Sequence, residues 1–557
     1  MQNLKKINSL VELFFEKINE VDPKKPFLEW LNPLERREYS WKEVEKKILI
    51  LSSKIKENIK EGDRCLLISE NRPEWLIADI AIMNAGGISV PIFTTYAAGD
   101  YEYIINDCSP SLVIASNNTQ FKKIKKFVEN IKVISFEKLE SLSLTTSEIF
   151  KKDLKKNINR NLKREMPCCI IYTSGTSGNP KGVVLSHGGI LSNCEGALDL
   201  VNKLLENKKP VFLTWLPLSH SYEHTIQFIQ ILVGAKIFYA ESLEKLIPNM
   251  IIAKPTIMTA VPRFYQNLYN KINLNFKKQK GLKKILIFQT LKLGKKILKN
   301  ENLNLKEKLI NLLCEETVRR KIKKQFGGNL QAFVSGGGAL DQNIGEFLNA
   351  IGLPTLQGYG LTEASPVVSC NLPNMVKVET VGPIFRTNKV QIAKDGEILV
   401  KGENIMLGYW NKEIETNEVI KNGWLHTGDI GEIDAQGYLK ITDRKKDLIV
   451  NLGGENISPT KIENLLCLNE HIKQAFVYGD KKNYLIAIVV TEKENNNSYL
   501  KEFIENLNKS LNNIEKIKKF IIINDEFTIQ NKMLTPTLKL KRKEIIKNYK
   551  QQLENLY

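Results

Sequence analysis

The 557-residue sequence has no apolar run long enough to cross a lipid bilayer. Its first twenty residues interrupt their apolar stretches with Glu12, Glu16 and Glu20, unlike a secretory signal peptide. We therefore expect the chain to stay in the cytoplasm.

The sequence is also poor in metal-binding and disulfide patterns. Its eight cysteines include the adjacent pair Cys168 and Cys169 but no Cys-x-x-Cys unit, and its five histidines form no His-Glu-x-x-His group. These absences argue against a structural zinc site. We expect the cysteines to be reduced and buried.

Positive charge is unevenly distributed. The net charge is +19, and residues 271–324 carry fifteen Lys and two Arg against four Glu. Such a segment attracts phospholipid headgroups, nucleic acid or a phosphorylated cofactor, although a solvated Lys-rich face is an equal alternative. Because aromatic and Arg residues are scarce there, no nucleic-acid partner is expected.

Apolar runs and amphipathic stretches alternate from about residue 40, which predicts an α/β body with mainly parallel strands. The Lys-rich residues 266–330 have helical spacing and predict a helical insertion. From residue 380, short Gly-punctuated strands indicate a small β-rich lobe, and a new unit begins near residue 443. We place the domain boundary there, giving domains of residues 1–442 and 443–557.

The most informative segment is IIYTSGTSGNPKGVV, residues 170–184. An apolar strand leads into a loop whose hydroxyl groups, glycines and lysine can surround phosphate oxygens. It is not a Walker A loop, because Lys181 lies between Pro180 and Gly182. A flexible linker is the alternative, but a linker does not place a strand before the loop and Pro-Lys-Gly after it. The predicted phosphate-binding residues are Thr173, Ser174, Gly175, Thr176, Ser177, Gly178 and Lys181.

This loop resembles the signature of the adenylate-forming (AMP-binding) superfamily, which includes acyl-CoA synthetases, luciferases and peptide-synthetase adenylation domains. Five more segments resemble that family in its order, namely VSGGGAL (334–340), GYGLTEAS (358–365), GWLHTGDIG (423–431), ITDRKKDLIVNLGGENISPTKIE (441–463) and TPTLKLKRKEI (535–545). The resemblance covers nearly the whole chain. It implies an α/β fold whose large, multi-lobed N-terminal domain has two α/β sheets and a small β lobe, followed by a small, mobile α+β C-terminal domain.

The resemblance also implies roles for residues of the GYGLTEAS segment. Glu363 is the Mg²⁺ ligand, Thr362 contacts the α-phosphate of ATP, and Tyr359 stacks on adenine, with chemistry that suits each side chain. The flanking residues of this nucleotide site are Gln357, Gly358 and Gly360.

Other motifs complete the implied nucleotide site. Gly336, Gly337 and Gly338 let the backbone approach the nucleotide and acyl group, although a tight turn is the alternative. Asp429 holds the ribose, reinforced by Arg444; outside the family pattern, an Asp after Gly is more often a turn residue.

Lys539 corresponds to the family's catalytic lysine. The usual glycine before it is replaced here by Leu538, which makes Lys541 a competing candidate. Without the resemblance, a solvated lysine in a basic tail would be the default interpretation.

The family's chemistry has two half-reactions, acyl-AMP formation from MgATP and transfer of the acyl group to a thiol. ENRPEW (70–75), LPLSHSYEH (216–224) and the helical insertion resemble the long-chain fatty acid CoA ligase branch. The implied cofactors are ATP, Mg²⁺ and coenzyme A as substrate. Acyl carrier protein ligase and fatty acyl-AMP ligase remain alternatives, and a non-catalytic anion-binding protein is a further one.

The remaining expectations concern the acyl and CoA side. His220 is expected near the acyl entrance, although a lone histidine is as often structural. Gly453, Gly454 and Glu455 are expected to face the CoA channel, and Lys445 and Lys446 to form the hinge. Fatty acid and CoA are the expected partners, with peripheral association on the anionic inner face of the membrane.

Overall fold

The computed structural model describes residues 4–136, 157–173, 179–206, 208–373, 375–453, 455–492, 497–535 and 539–557. The elements up to residue 260 are α1 (Leu10–Glu20), β1 (Pro26–Trp30), β2 (Arg37–Ser40), α2 (Trp41–Lys56), β3 (Arg64–Ile68), α3 (Pro73–Asn84), β4 (Ile88–Ile92), α4 (Ala98–Cys108), β5 (Leu112–Ala115), α5 (Asn118–Ile124), β6 (Lys132–Ser135), β7 (Pro167–Thr173), β8 (Lys181–Ser186), α6 (His187–Leu205), β9 (Val211–Thr214), α7 (Ser221–Leu232), β10 (Lys236–Tyr239), α8 (Leu246–Ala253) and β11 (Ile257–Ala260).

The elements after residue 260 begin with a run of helices. They are α9 (Pro262–Lys277), α10 (Gly281–Leu298), α11 (Leu305–Cys314), α12 (Arg320–Gln325), β12 (Ala332–Ser335), α13 (Gln342–Ala350), β13 (Thr355–Gly360), β14 (Val367–Cys370), β15 (Asn388–Ile392), β16 (Glu397–Gly402), β17 (Gly408–Tyr409), α14 (Glu413–Val419), β18 (Ile420–Lys421), β19 (Trp424–Ile433), β20 (Leu439–Arg444), β21 (Ile449–Val450), β22 (Asn456–Ile457), α15 (Pro459–Leu466), β23 (Ile472–Tyr478), β24 (Leu485–Thr491), α16 (Asn497–Lys509), β25 (Ile517–Ile523) and α17 (Arg542–Glu554).

Two large sheets form the body. One has eight strands in the order β14-β13-β12-β11-β9-β10-β1-β2, and the other has seven in the order β17-β8-β7-β4-β3-β5-β6. Both are parallel in their interior and antiparallel toward an edge. The predicted α/β class with mainly parallel strands is confirmed.

Helices fill the space between these sheets. One continuous apolar core combines inward residues of both sheets with helices α3, α6 and α7. Helix α3 begins with Pro73, which is well suited to the first helical turn, and all twelve of its residues are buried. Since α3 is enclosed on every side, its apolar residues are not confined to one stripe.

Smaller sheets follow the body. Strands β15, β16, β18, β19 and β20 form a five-stranded antiparallel lobe, and β23, β24 and β25 form a three-stranded sheet with its own apolar clusters. The expected small C-terminal α+β domain is therefore present as a separate packing unit. Its predicted starting point at residue 443 remains a prediction.

Two further observations bear on the composition. No cysteine is paired; seven are buried, but Cys467 is partly exposed, which departs from the expectation because Cys467 follows helix α15 at the surface. Within the described residues, no helix combines the length and apolarity needed to cross a membrane.

Candidate active site

A cavity of about 650 Å³ lies where the strand ends of the body meet the β lobe and the C-terminal region. Strands β7, β11, β12 and β13 each reach it with their carboxyl ends, the usual place for ligands in parallel α/β sheets. The β lobe contributes residues 425–428, and the C-terminal region contributes Thr535 and Lys539.

The described residues on either side of the predicted phosphate loop border this cavity. Thr173 and Lys181 lie opposite each other in the antiparallel β7–β8 pair, and both line the cavity. The Lys181 ammonium lies 4.7 Å from the ring centre of Tyr409. The other predicted phosphate-binding residues, Ser174, Gly175, Thr176, Ser177 and Gly178, lie outside the described residues.

Thr362 and Glu363 lie on a short 3₁₀ turn that brings both side chains to the cavity. The Thr362 hydroxyl is 2.9 Å from the Ser221 hydroxyl, and the Tyr409 hydroxyl donates to Glu363 Oε1 at 2.9 Å. Burial and the Glu363 carboxylate raise the pKa of Tyr409, so its hydroxyl stays protonated and acts as a donor. Glu363 is thus fixed with one oxygen occupied and its other oxygen available to a ligand.

Asp429 is the centre of a second polar group. It is buried and accepts hydrogen bonds from the Tyr359 hydroxyl at 2.7 Å and from Arg444 Nε at 2.9 Å. The β19–β20 pairing places Asp429 opposite Arg444, which explains how residues fifteen apart meet. Burial, and then the Asp429 carboxylate, raise the pKa of Tyr359 well above its ordinary value, so this hydroxyl also remains a donor.

Glycines line the wall beside Tyr222. A Cβ on Gly336 would lie 2.8 Å from the Tyr222 ring, and Gly337 has a φ of +79°, which favours glycine. Gly358 and Gly360 also line the cavity, whereas Gly338 does not.

Gln357 lies just behind this wall. Its Oε1 accepts a hydrogen bond from the Leu340 backbone N–H at 3.1 Å, and it is not a lining residue. Gln357 therefore supports the loop of residues 336–340 and does not reach the cavity itself.

Lys539 reaches the same cavity from the C-terminal region. Lys539 lines the cavity, and its backbone N–H donates to the Thr535 hydroxyl at 3.0 Å. Burial, reinforced by the nearby Arg444 charge, lowers the pKa of Lys539 to about 8, while Asp429 and Glu363 oppose that shift. Lys541 precedes helix α17 and does not line the cavity, so the geometry favours Lys539 for the catalytic position.

The apolar end of the cavity lies between helices α6 and α7. Lining positions on α6 have helical spacing and are Ala197, Leu200, Val201 and Leu204; those on α7 include Tyr222, Ile226 and Ile229. His220 lies where this apolar wall meets the polar end, with Nδ1 accepting from the Tyr222 backbone N–H at 3.2 Å. Burial, and then the Lys539 charge, lower the pKa of His220 to about 4, so its ring is neutral at pH 7.

The predicted hinge and CoA residues divide into two groups. Lys445 and Lys446 line the cavity, and Lys445 pairs with Asp395 at 2.7 Å and Glu397 at 3.3 Å. Gly453 and Glu455 are exposed and are not lining residues, and Gly454 is outside the described residues. Of the expected CoA-side residues, the two that the structure describes, Gly453 and Glu455, therefore do not line the cavity.

Sequence reasoning missed three side chains that hold this site. Ser221 bonds Thr362, Tyr409 bonds Glu363, and Glu397 accepts the Gly428 N–H at 2.9 Å. Tyr409 lies on a two-residue strand with no motif of its own, so no sequence signal marks it. Ser221 lies in the LPLSHSYEH segment, directly after the predicted site residue His220, and this position could have identified it as a site residue.

Comparisons with known proteins agree with this architecture. Long-chain-fatty-acid–CoA ligase FadD15 of Mycobacterium tuberculosis is 29% identical over 533 residues, covering 90% of this chain and 88% of its own. Long-chain-fatty-acid–CoA ligase 5 of Rattus norvegicus is 30% identical, covering 88% and 79% respectively. Among solved structures, ATP-bound MatB from Rhodopseudomonas palustris has a TM-score of 0.74 at 21% identity and covers 98% of this chain and 99% of its own.

Two family models account for most of the chain. The one described as AMP-binding enzyme matches residues 15–410, and the one described as AMP-binding enzyme C-terminal domain matches residues 446–557. The resemblance drawn from the motifs is confirmed at this level. The chain belongs to the AMP-binding enzyme family.

Proposed function

We propose that this protein activates a long-chain fatty acid with ATP and transfers it to CoA, giving acyl-CoA, AMP and pyrophosphate. One observation carries the proposal. A single cavity joins a polar end, lined by Glu363, Lys539 and the Arg444 side chain that pairs with Asp429, to an apolar end between α6 and α7. A fatty acid is likewise polar at its carboxylate and apolar along its tail, so it matches the two ends of the cavity.

The apolar end supports a fatty acid over a small polar acid. Ala197, Leu200, Val201 and Leu204 follow each other at three-, one- and three-residue steps, so they share one side of helix α6. From Ala197 to Leu204 the helix advances seven steps and rises roughly 10 Å, which gives an extended apolar wall. The names of the curated relatives, long-chain-fatty-acid–CoA ligases, agree with this substrate class.

In the first half-reaction the fatty acid carboxylate attacks the α-phosphorus of ATP, and the bond to pyrophosphate breaks. Both reactants are anionic, so catalysis requires charge neutralisation and an in-line arrangement. Lys539 supplies a positive charge where the carboxylate approaches the α-phosphorus, and Thr362 contacts the α-phosphate. Thr173 and Lys181 border the polyphosphate. Asp429 holds the ribose hydroxyls, and Tyr359 supports the adenine.

In the second half-reaction a thiol attacks the acyl carbon, forming the thioester bond as the bond to AMP breaks. AMP leaves as a phosphate anion, so no serine or cysteine nucleophile is needed. Three buried cysteines agree with this, because burial raises the pKa of Cys169, Cys194 and Cys370 and keeps their thiols protonated.

Magnesium fits the cavity. Among the described residues there is no cluster of three or more His, Cys, Asp or Glu side chains that could form a metal cage. Mg²⁺ bound to nucleotides commonly takes one or two protein carboxylates and completes its shell with phosphate oxygens and water. Glu363 would be the protein ligand, and the bound ion would neutralise phosphate charge.

The acceptor is proposed to be CoA, with an acyl carrier protein as the alternative. The test supplies purified protein with ATP, Mg²⁺ and palmitate, and compares CoA, carrier protein and no acceptor. We expect AMP and pyrophosphate together with palmitoyl-CoA. Formation of ADP would refute the mechanism, and a thioester only on carrier protein would reassign the acceptor.

Glu363→Ala should abolish most of this activity, since a metal ligand and its charge neutralisation are lost together. Glu363→Gln keeps the side-chain volume and should raise the Mg²⁺ concentration required for half-maximal pyrophosphate exchange. Glu413→Gln, on the exterior helix α14, is the control. An unchanged Mg²⁺ dependence in Glu363→Gln would remove Glu363 from the metal site.

We propose in addition that the enzyme acts at the surface of anionic membranes, where its free fatty acid substrate partitions. The local positive excess in residues 271–324 supports this location. The charge segment belongs to the helices between β11 and β12.

A further inference from the structure

Helix α11 turns its leucines to solvent. Leu305, Leu309, Leu312 and Leu313 are 81%, 68%, 63% and 57% exposed. Their spacing of four, three and one residues puts them in one stripe, the arrangement that normally faces a core. The opposite face packs inward, where the buried Cys314 thiol donates to the Leu286 carbonyl of helix α10. The stripe therefore points away from α10 and has no covering element in the described chain.

Helix α10 adds further apolar side chains. Ile285 and Phe288 are more than half exposed, whereas Thr290, Leu293 and Gly294 on the other face are buried. That face packs closely on helix α13, since a Cβ on Gly294 would lie 2.5 Å from Ala350 Cα. Helix α10 is therefore firmly packed on its inner face, while Ile285 and Phe288 remain exposed on its outer face.

The two helices are held together. Lys296 Nζ lies 2.7 Å from Glu307 Oε1, and Asn304 and Glu307 form a capping box that fixes the start of α11. We call the exposed residues Leu282, Ile285, Phe288, Leu305, Leu309, Leu312 and Leu313 the α10–α11 surface.

The charge around this surface restricts its partner. Lys306 and Lys308 flank the leucine stripe, Lys284 and Lys292 are exposed on α10, and Lys299 is exposed just after it. A second copy of this chain would bring the same positive charge against it. Nucleic acid would neutralise the lysines but leave the leucines in water. An anionic bilayer offers both phosphate charge and an apolar boundary.

We propose that the α10–α11 surface docks the enzyme on anionic membranes, with its leucines at the headgroup–acyl boundary and its lysines among the headgroups. The choice of a lipid surface over another anionic partner rests on the proposed function, whose substrate partitions into bilayers. Docking itself requires neither ATP nor fatty acid, so it is measured independently of catalysis.

The apolar contribution is tested with full-length protein and sedimenting vesicles, either pure phosphatidylcholine or an equal mixture with phosphatidylglycerol. The test variant is Leu309→Ser with Leu312→Ser. Its matched control is Leu34→Ser with Ile414→Ser, which removes two similarly exposed apolar side chains elsewhere. We expect at least about a tenfold loss of binding to the anionic vesicles for the test variant and none for the control.

A second pair of variants tests how much the lysines contribute to vesicle binding. Lys306→Glu with Lys308→Glu should weaken binding by at least about 25-fold, because each lysine near an anionic surface contributes roughly fivefold. Lys42→Glu with Lys46→Glu makes the same charge change on helix α2 and should have a much smaller effect. Wild-type binding should fall in high salt.

Thermal unfolding by circular dichroism establishes that each variant is folded. Binding to neutral and anionic vesicles alike, or to neither, overturns the proposal, as does equal binding by test and control variants. A salt-resistant dimer that the leucine variant dissociates, without vesicle binding, would assign the surface to a second copy and also overturn it. If vesicle binding is as expected but no acyl-CoA forms, the docking surface stands and the proposed function fails.

Discussion

The protonation of Lys539 should control acyl-AMP formation. Burial and Arg444 lower its pKa to about 8, so the free enzyme loses this charge within an accessible pH range. A lysine is charged below its pKa, and the charged fraction therefore falls as pH rises. Between pH 7 and pH 9 the fraction decreases about tenfold, and kcat/KM for ATP should decrease by the same factor.

The assay is pyrophosphate exchange with palmitate at low ATP and without CoA. Leaving out CoA matters because its thiol is a second group that loses a proton at alkaline pH. At saturating ATP the decrease should shift to higher pH, since bound phosphates favour the charged lysine.

Substitutions test whether the alkaline decrease in kcat/KM for ATP comes from Lys539. Lys539→Ala should reduce acyl-AMP formation by about 100-fold or more while largely sparing thioester formation from supplied acyl-AMP. Lys539→Arg keeps a charge at all relevant pH values and should lose the alkaline decrease. Lys541→Ala, two residues away and outside the cavity, is the control. An alkaline decrease that persists in Lys539→Arg, or equal damage to both half-reactions in Lys539→Ala, would refute the reasoning.

Three further substitutions have distinct expected outcomes. Gly336→Ala places a Cβ 2.8 Å from the Tyr222 ring and should lower kcat/KM for fatty acid more than for ATP; equal losses measured with both substrates would contradict this. Gln266→Ala removes a 2.7 Å hydrogen bond to the Cys467 carbonyl across the two domains and should slow adenylation about fivefold relative to thioester formation. Lys446→Pro, compared with Lys446→Ala in separate half-reaction assays, should slow the thioester step more, because a fixed φ restricts rotation.

Much of the fold followed from local patterns. Alternating apolar runs predicted the α/β body because each buried parallel strand is apolar and each crossover helix is amphipathic. The enclosed helix α3 shows where this reasoning ends. The many apolar residues of α3 predict that it is buried, but the two sheets that cover it are known only once the strand order is known. The antiparallel pairing of β2 and β14 at the sheet edges also has no periodic pattern in the sequence.

The sequence likewise predicted some residues of the site and not others. Motifs named Lys181, Glu363 and Asp429 because the family retains these residue types, and the structure places all three around one region. Their roles remain predictions. Tyr409 could not be found from sequence, since its contact with Glu363 depends on β17 pairing with β8 across more than two hundred residues.

If the predicted roles of Lys539 and of the CoA-side residues hold, the placement of the C-terminal region suits only the first half-reaction. Lys539 is in the cavity, while Gly453 and Glu455, the residues expected to face CoA, are exposed outside it. The positive charge needed while pyrophosphate leaves is therefore in place, but the expected thiol-side residues are not. Rotation about Lys445 and Lys446 would have to break the Lys445 pairs with Asp395 and Glu397. Because Lys445 and Asp395 are both about half exposed, solvent screens their attraction, and these pairs contribute little stability. A hinge at this position can consequently open at low energetic cost, which is the property that alternating half-reactions require.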